Sequence, residues 1–170
     1  LPFRTVAAEI IATSPGDASR AVFIDKGEDV GVATDAAVVT PSGIVGKVIL
    51  VFPRTSQVLL ISDTSSGVAA ALQDSRVQGI VKGTGQNSPE LQYIMKDIPV
   101  AAGEIVLTSG LDQIYPKGLV VGTVAQVNEG NIYKSIKVRP AATLDRLETV
   151  LVVVKPRSTD MQARTAPVRP

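Results

Sequence analysis

Residues 36–48, AAVVTPSGIVGKV, return in altered form at residues 104–124 as EIVLTSGLDQIYPKGLVVGTV. Each copy runs from an apolar, strand-like segment through a turn rich in Gly and Pro into a Gly–apolar–Val stretch. The correspondence extends outward on both sides. Upstream, AVFIDK at 21–26 is answered by LQYIMK at 91–96; downstream, SQVLLI at 56–61 is answered by YKSIKV at 133–138. The offset grows from roughly 70 to 76 residues, too long for a solenoid unit and suited to a small domain of several strands. The reading is therefore a duplicated β-module, an arrangement more typical of a scaffold than of a pocket enzyme.

Composition agrees with this and removes many alternatives. A chain of 170 residues has room for one large domain or two small ones, and the duplication favours two. Val supplies 25 residues while aromatics make up only 4%, a β-branched bias that suits many short packed strands. A net charge of +1 without long Lys/Arg runs argues against a nucleic-acid footprint. No apolar run approaches the roughly 20 residues that a membrane-spanning helix needs. The chain holds no Cys and no His. That excludes zinc sites of the usual ligand types, thiol chemistry and Ser-His-Asp or Cys-His catalysis. No catalytic residue, metal or cofactor is expected. The chain starts without Met and shows no signal-like region, so it reads as an excised piece, and any targeting segment would lie upstream.

Short apolar segments separated by turn residues give strands at 4–12, 21–25, 37–40, 44–51, 57–61 and 67–72. Further strands follow at 73–82, 91–95, 105–108, 119–127, 132–140 and 150–154. The stretch 141–148, AATLDRLE, is the one helical candidate. Amphipathic stretches long enough for an α/β layer are missing. The expected fold is all-β, two small similar β-barrels in tandem, because closure hides strand edges that would invite aggregation in so Val-rich a chain. The boundaries read as 1–73 for the first module, 74–156 for the second and 157–170 for a disordered Pro-rich tail. Whether the strand at 75–82 belongs to the first module or the second, and whether one module is inserted into the other, stays open.

Thr108-Ser109-Gly110 could present a nucleophile, with Lys117 or Lys96 as base, but no flanking signature supports it beyond a plain turn. Gly83-Thr84-Gly85 lacks the spacing and following helix of a phosphate loop. Asp17, Asp25, Glu28, Asp29 and Asp35 make the first module locally acidic without EF-hand spacing. Gly27, Gly31, Gly43, Gly46, Gly103, Gly118 and Gly122 recur at matched places and read as backbone geometry. Phe52, Ile114 and Tyr115 put scarce apolar bulk into loops, either as buried anchors or as partner contacts. A hydrolase on a protease-like double barrel and a glycan-binding module are the rival functions; sparse aromatics weaken the second.

Six segments then carry a resemblance: IDKGEDVGV (24–32), GIVGKV (43–48), TSQVLLISDTSSGVAA (55–70), SRVQGIVKGTG (75–85), VLTSGLDQIYPKGLVVGTV (106–124) and VRPAATLDRLETVLVV (138–153). Together they resemble the extracytoplasmic β-rich region of the rod-shape-determining MreC family. The resemblance implies two β-barrels reminiscent of chymotrypsin-like proteases without their catalytic residues. It also implies a non-enzymatic periplasmic scaffold of the cell-elongation complex, anchored in the inner membrane by a segment before Leu1. Implied partners are the elongation-specific penicillin-binding transpeptidase, MreD, RodA, MreB through the missing N-terminal part, and further copies of the chain.

Overall fold

The computed structural model of the chain describes residues 3–14 and 20–154; the tail expected at 157–170 lies outside the described residues. Twelve strands run in chain order: β1 (Arg4–Thr13), β2 (Ala21–Ile24), β3 (Ala37–Val39), β4 (Ile44–Val51), β5 (Ser56–Leu60), β6 (Gly67–Leu72), β7 (Gln78–Lys82), β8 (Glu90–Gln92), β9 (Ile105–Thr108), β10 (Val120–Asn128), β11 (Ser135–Pro140) and β12 (Thr149–Val154). They close into two antiparallel six-stranded barrels. The first has the cyclic order β1-β12-β3-β4-β5-β2 and the second β7-β6-β9-β10-β11-β8. The two orders superimpose strand for strand, with β3, β4, β5 and β2 answering β9, β10, β11 and β8. These are the segments whose sequences repeat.

One glycine pair explains why the repeat is visible at all. A Cβ on Gly46 in β4 would lie 1.9 Å from the Leu59 carbonyl oxygen of β5, and one on Gly122 in β10 would lie 2.0 Å from the Arg139 carbonyl of β11. In each barrel the neighbouring backbone crosses at the same point, and no side chain fits there. Of the other matched glycines, Gly31, Gly103 and Gly118 adopt positive φ. A Cβ on Gly27 would lie 2.0 Å from the Phe52 carbonyl oxygen.

The strands do not divide at 73/74. β6 pairs with β7 and β9 inside the second barrel, while β12 pairs with β1 and β3 inside the first. The second barrel is thus inserted between β5 and β12, and the chain crosses the seam twice, at 61–66 and 141–148. The physical reason is closure: the first barrel needs a strand between β1 and β3, and only β12 supplies it. The return link 141–148 is a series of turns and bends rather than the expected helix.

Two apolar clusters form the interior. The first barrel buries Val22, Ile24, Val38, Val45, Val48, Val58, Val150 and Val152. The second buries Val68, Leu72, Val81, Leu91, Val106, Val121, Ile136 and Val138, and its cluster continues across the seam to Ala37, Val39, Ile44 and Ile61 of the first. Alternate residues of β3 therefore point into different cores, and all three are buried. That two-sided burial is why 36–39, AAVV, reads as an unbroken apolar run rather than an alternating one. Gly43 lets the barrels meet, since its Cβ would fall 2.7 Å from the Ala141 Cβ and 2.8 Å from the Val120 carbonyl.

Polar contacts also tie the seam. In the outgoing link the Asp63 carboxylate accepts the backbone N–H groups of Arg20 and Ser65, each at 2.7 Å. The Arg20 guanidinium reaches across and donates to the Gly85 carbonyl at 2.7 Å and to Asn87 Oδ1 at 2.9 Å. A buried carboxylate and a cross-seam arginine, each with partners, restrain the two barrels relative to each other.

Candidate interaction surface

The sequence names Phe52, Ile114 and Tyr115 as contact candidates, and the structure separates them. Phe52 is 46% exposed and sits on a rigid turn, where its N–H donates to the Thr55 carbonyl at 2.9 Å and its carbonyl accepts from Glu28 N–H at 2.9 Å. Ile114 is half-buried and packs against the second core. Tyr115 is only 2% exposed, so it is a buried anchor and not a contact residue. Burial pushes its phenol pKa up, and the nearby charges of Asp112 and then Asp35 add to the rise. Asp35 belongs to the first barrel's loop, so Tyr115 also sits at the seam. The Asp112 carboxylate fixes this loop by accepting the N–H groups of Ala69, Ile114 and Tyr115 at 3.0, 3.1 and 3.3 Å.

A denser apolar patch lies elsewhere on the second barrel. Tyr93, Met95, Ile132 and Tyr133 are 56%, 53%, 62% and 46% exposed. They occupy two facing segments just beyond β8 and before β11. Lys96 N–H donates to the Ile132 carbonyl at 2.9 Å, Lys134 N–H donates to the Ile94 carbonyl at 2.8 Å, and Met95 and Tyr133 form an antiparallel bridge. Tyr93 and Tyr133 meet edge to face with ring centroids 5.7 Å apart, a favourable aromatic geometry. From below, Ile94 is fully buried and the Lys134 ammonium donates to the Ile98 carbonyl. Gly130 closes the turn, because a Cβ there would sit 2.1 Å from the Tyr133 carbonyl. Two of the chain's six aromatic side chains are thus held rigid and outward beside two large aliphatic ones. Clustered exposed apolar groups on a preordered frame are the usual make-up of a protein-docking surface.

Sequence reasoning missed this patch, and the reason is local. Strict alternation from the buried Leu91 would turn Tyr93 inward. Tyr93 instead adopts a positive φ of 70°, which inserts one residue into the alternation and restarts it at the buried Ile94.

The catalytic alternative has no geometry behind it. Ser109 is 9% exposed and its Oγ accepts the Leu111 N–H at 3.3 Å. No hydrogen bond joins Ser109 to Lys117 or Lys96 among the described residues, so neither lysine is placed as its base. Among the described residues no cluster of acidic side chains is arranged to hold a metal ion. The polar cleft lined by Thr84, Gln86, Asn87, Ser88, Glu90 and Lys137 offers no aromatic platform for a sugar. No helix among the described residues is long and apolar enough to cross a membrane.

Comparison with known proteins fits the duplicated barrel. The family described as rod shape-determining protein MreC, barrel core, matches residues 10–154. The chain belongs to the MreC family. The cell shape-determining protein MreC of Escherichia coli is 31% identical over 148 residues, covering 85% of this chain and 40% of that protein. The chain therefore spans less than half the length of that relative. The crystal structure of MreC from Pseudomonas aeruginosa superimposes with a TM-score of 0.85 at 31% identity, covering 88% of this chain and 99% of the other. A chain from the complex between Penicillin-Binding Protein (PBP2) and MreC of Helicobacter pylori has the same fold, with a TM-score of 0.70 at 20% identity over 90% of this chain and all of that one. The MreC family is one of shape-determining proteins rather than enzymes.

Proposed function

We propose that this chain is the barrel part of a non-enzymatic scaffold for wall elongation, which docks the elongation-specific penicillin-binding transpeptidase at the Tyr93–Tyr133 patch and favours its active arrangement by differential binding. The observation that carries the reading is the patch itself: four exposed, rigidly supported apolar side chains on the second barrel. The Helicobacter pylori complex supports the choice of partner, since a chain of this fold occurs there with a penicillin-binding protein. The working location is the periplasmic face of the inner membrane. MreD, RodA, self-association and MreB, the last reached through chain outside the barrels, belong to the same proposal.

The test is a calorimetric titration of the cognate transpeptidase's extracytoplasmic region into the wild-type chain, a Tyr133→Ala variant and an Ile132→Ser variant. Central apolar contacts are each worth about 1–3 kcal/mol at an interface, so affinity should fall roughly ten- to a hundredfold. Wild-type affinity in both variants would reject the patch as the docking surface.

A further inference from the structure

The first barrel closes unevenly. Of the ten residues of β1, Arg4 to Glu9 lie beside β12, but only Ile10, Ala12 and Thr13 have partners in β2. β2 ends at Ile24, and the chain then turns away beneath the β4–β5 turn. There the Lys26 carbonyl accepts the Ser56 hydroxyl at 2.8 Å, and a Cβ on Gly27 would meet the Phe52 carbonyl oxygen at 2.0 Å. β1 therefore runs on past its partner with one side uncovered.

The register fixes which backbone groups lie on that side. Opposed residues of an antiparallel pair alternate between those that exchange both hydrogen bonds and those that exchange none. Ile10 N–H donates to the Glu148 carbonyl at 2.8 Å, so Ile10, Ala8, Val6 and Arg4 turn their peptide groups toward β12. Glu9, Ala7 and Thr5 turn theirs the other way. Glu9 is satisfied there: its carbonyl accepts Asp25 N–H at 3.1 Å, and its N–H donates to Asp25 Oδ1 at 2.8 Å. The Asp25 side chain thus caps the ladder where β2 departs. Beyond the cap, the N–H and C=O groups of Thr5 and Ala7 have no hydrogen-bond partner among the described residues.

The second barrel shuts the matching place. β7, the counterpart of β1, has five residues, and Ile80, Val81 and Lys82 pair with β8. A Cβ on the adjoining Gly79 would lie 2.5 Å from the Gln92 carbonyl and 3.0 Å from the Ile94 side chain, so the chain leaving β8 closes over it. Nor is the β1 edge guarded as exposed edges usually are. It has no proline, its bulge falls beyond it between Ile10 and Ala12, and its only charges sit at the ends, on Arg4 and Glu9.

We infer that this edge is a docking site for an extended peptide segment of another protein, added antiparallel to β1 along the line that β2 leaves at Asp25. Every strand pair among the described residues is antiparallel. An added strand in that sense satisfies both N–H and both C=O groups of Thr5 and Ala7. Its side chains alternate between two faces. Those opposite Thr5 and Ala7 share the outer face, where the short neighbours make little demand. The one opposite Val6 faces inward beside Val6, which packs on the first core, so an aliphatic, β-branched residue fits there. Thr5 and Val6 are half-buried with no strand beside them on this side. The edge therefore lies in a recess that suits a single extended backbone rather than the wall of a second barrel. The site is separate from the Tyr93–Tyr133 patch, which belongs to the other barrel, and does not depend on that patch's partner.

The probe is the end-capped, fluorophore-labelled peptide Lys-Thr-Val-Thr-Val-Thr-Lys, titrated into the 170-residue chain, with amide exchange read by NMR. In the chain alone, the Thr5 and Ala7 amides should exchange fast while those of Val6 and Ala8 are protected. The peptide should slow Thr5 and Ala7 selectively, and methylating its threonine amide nitrogens should abolish binding. Ala7→Pro removes one unpaired N–H and blocks the edge. It should leave the unfolding midpoint unchanged and weaken peptide binding about tenfold or more. Val6→Pro deletes a bond to β12 and should lower the midpoint instead. A lowered midpoint for Ala7→Pro, slow exchange at Thr5 and Ala7 in the chain alone, undiminished binding by Ala7→Pro, or no peptide binding into the millimolar range each overturns the inference. Dimerisation that Ala7→Pro abolishes, without peptide binding, would assign the edge to a second copy and overturn it as well.

Discussion

Replacing Gly122 with Ala places one methyl group where the structure has least room for it. The new Cβ would lie 2.0 Å from the Arg139 carbonyl oxygen, against ordinary contact beginning at 3.4 Å. The atom it meets is backbone, and β11 cannot swing aside as a flexible side chain could. Separating the strands to ordinary contact breaks the ladder around the pairs Gly122↔Pro140 and Thr123↔Arg139. Two ladder hydrogen bonds at about 1 kcal/mol each, with overpacking strain of about 1–3 kcal/mol, give a loss of roughly 3–5 kcal/mol. Domains of this size have stabilities of about 5–15 kcal/mol, so the change is severe. Gly46→Ala should lose a similar amount for the same reason, its Cβ falling 1.9 Å from the Leu59 carbonyl. Gly67→Ala is the control, because its nearest neighbour is the Ile80 side chain at 3.5 Å; it should stay within about 1 kcal/mol of wild type. Urea unfolding followed by circular dichroism measures all three. A Gly122→Ala protein within about 1 kcal/mol of wild type would refute the claim that matched backbone crossings define the repeat.

Three further outcomes are expected. Tyr115→Ala should destabilise the fold by about 3–5 kcal/mol, as truncation of a buried aromatic does, while Tyr115→Phe stays much closer to wild type; comparable loss in both would show that the ring's burial is not what matters. The Asp25 carboxyl is held below its ordinary 3.8, chiefly by the Glu9 N–H at 2.8 Å and further by Lys26, against opposing desolvation. Its contribution to stability is therefore present above pH 3.8 and lost as pH falls below it, so Asp25→Asn should flatten the acid limb of unfolding midpoint against pH, and an unchanged slope would contradict this. Arg20→Ala removes the cross-seam bonds to Gly85 and Asn87, and amide exchange should quicken in 83–89 while the β4–β5 ladder keeps its protection; unchanged exchange at 83–89 would mean the arginine does not restrain the seam.

The all-β double barrel was legible because its signals are local: turn glycines, short Val-rich segments, and a repeat anchored where Gly46 and Gly122 meet a neighbouring backbone. The partition of strands was not. β1 pairs with β12 across nearly the whole chain, Arg4 opposite Val154, and nothing in either segment marks that distant partner. At 141–148 a run without Gly or Pro resembles a helix, yet the link is drawn over the seam, with Ala142 buried and Leu144 packed against both cores. Tyr115 shows how a loop aromatic can be an internal anchor: Asp112 gathers the loop's N–H groups and folds the ring inward. The exposed apolar patch was hidden by a single residue, since the positive φ at Tyr93 reverses which side chains face out.

Hydrogen–deuterium exchange on this chain, free and with its cognate transpeptidase, tests the central claim most directly. The account predicts added protection at 93–96 and 129–134, with the Phe52 turn on the first barrel unchanged. Binding that protects the Phe52 turn or another surface while leaving 93–96 and 129–134 as they were would contradict it.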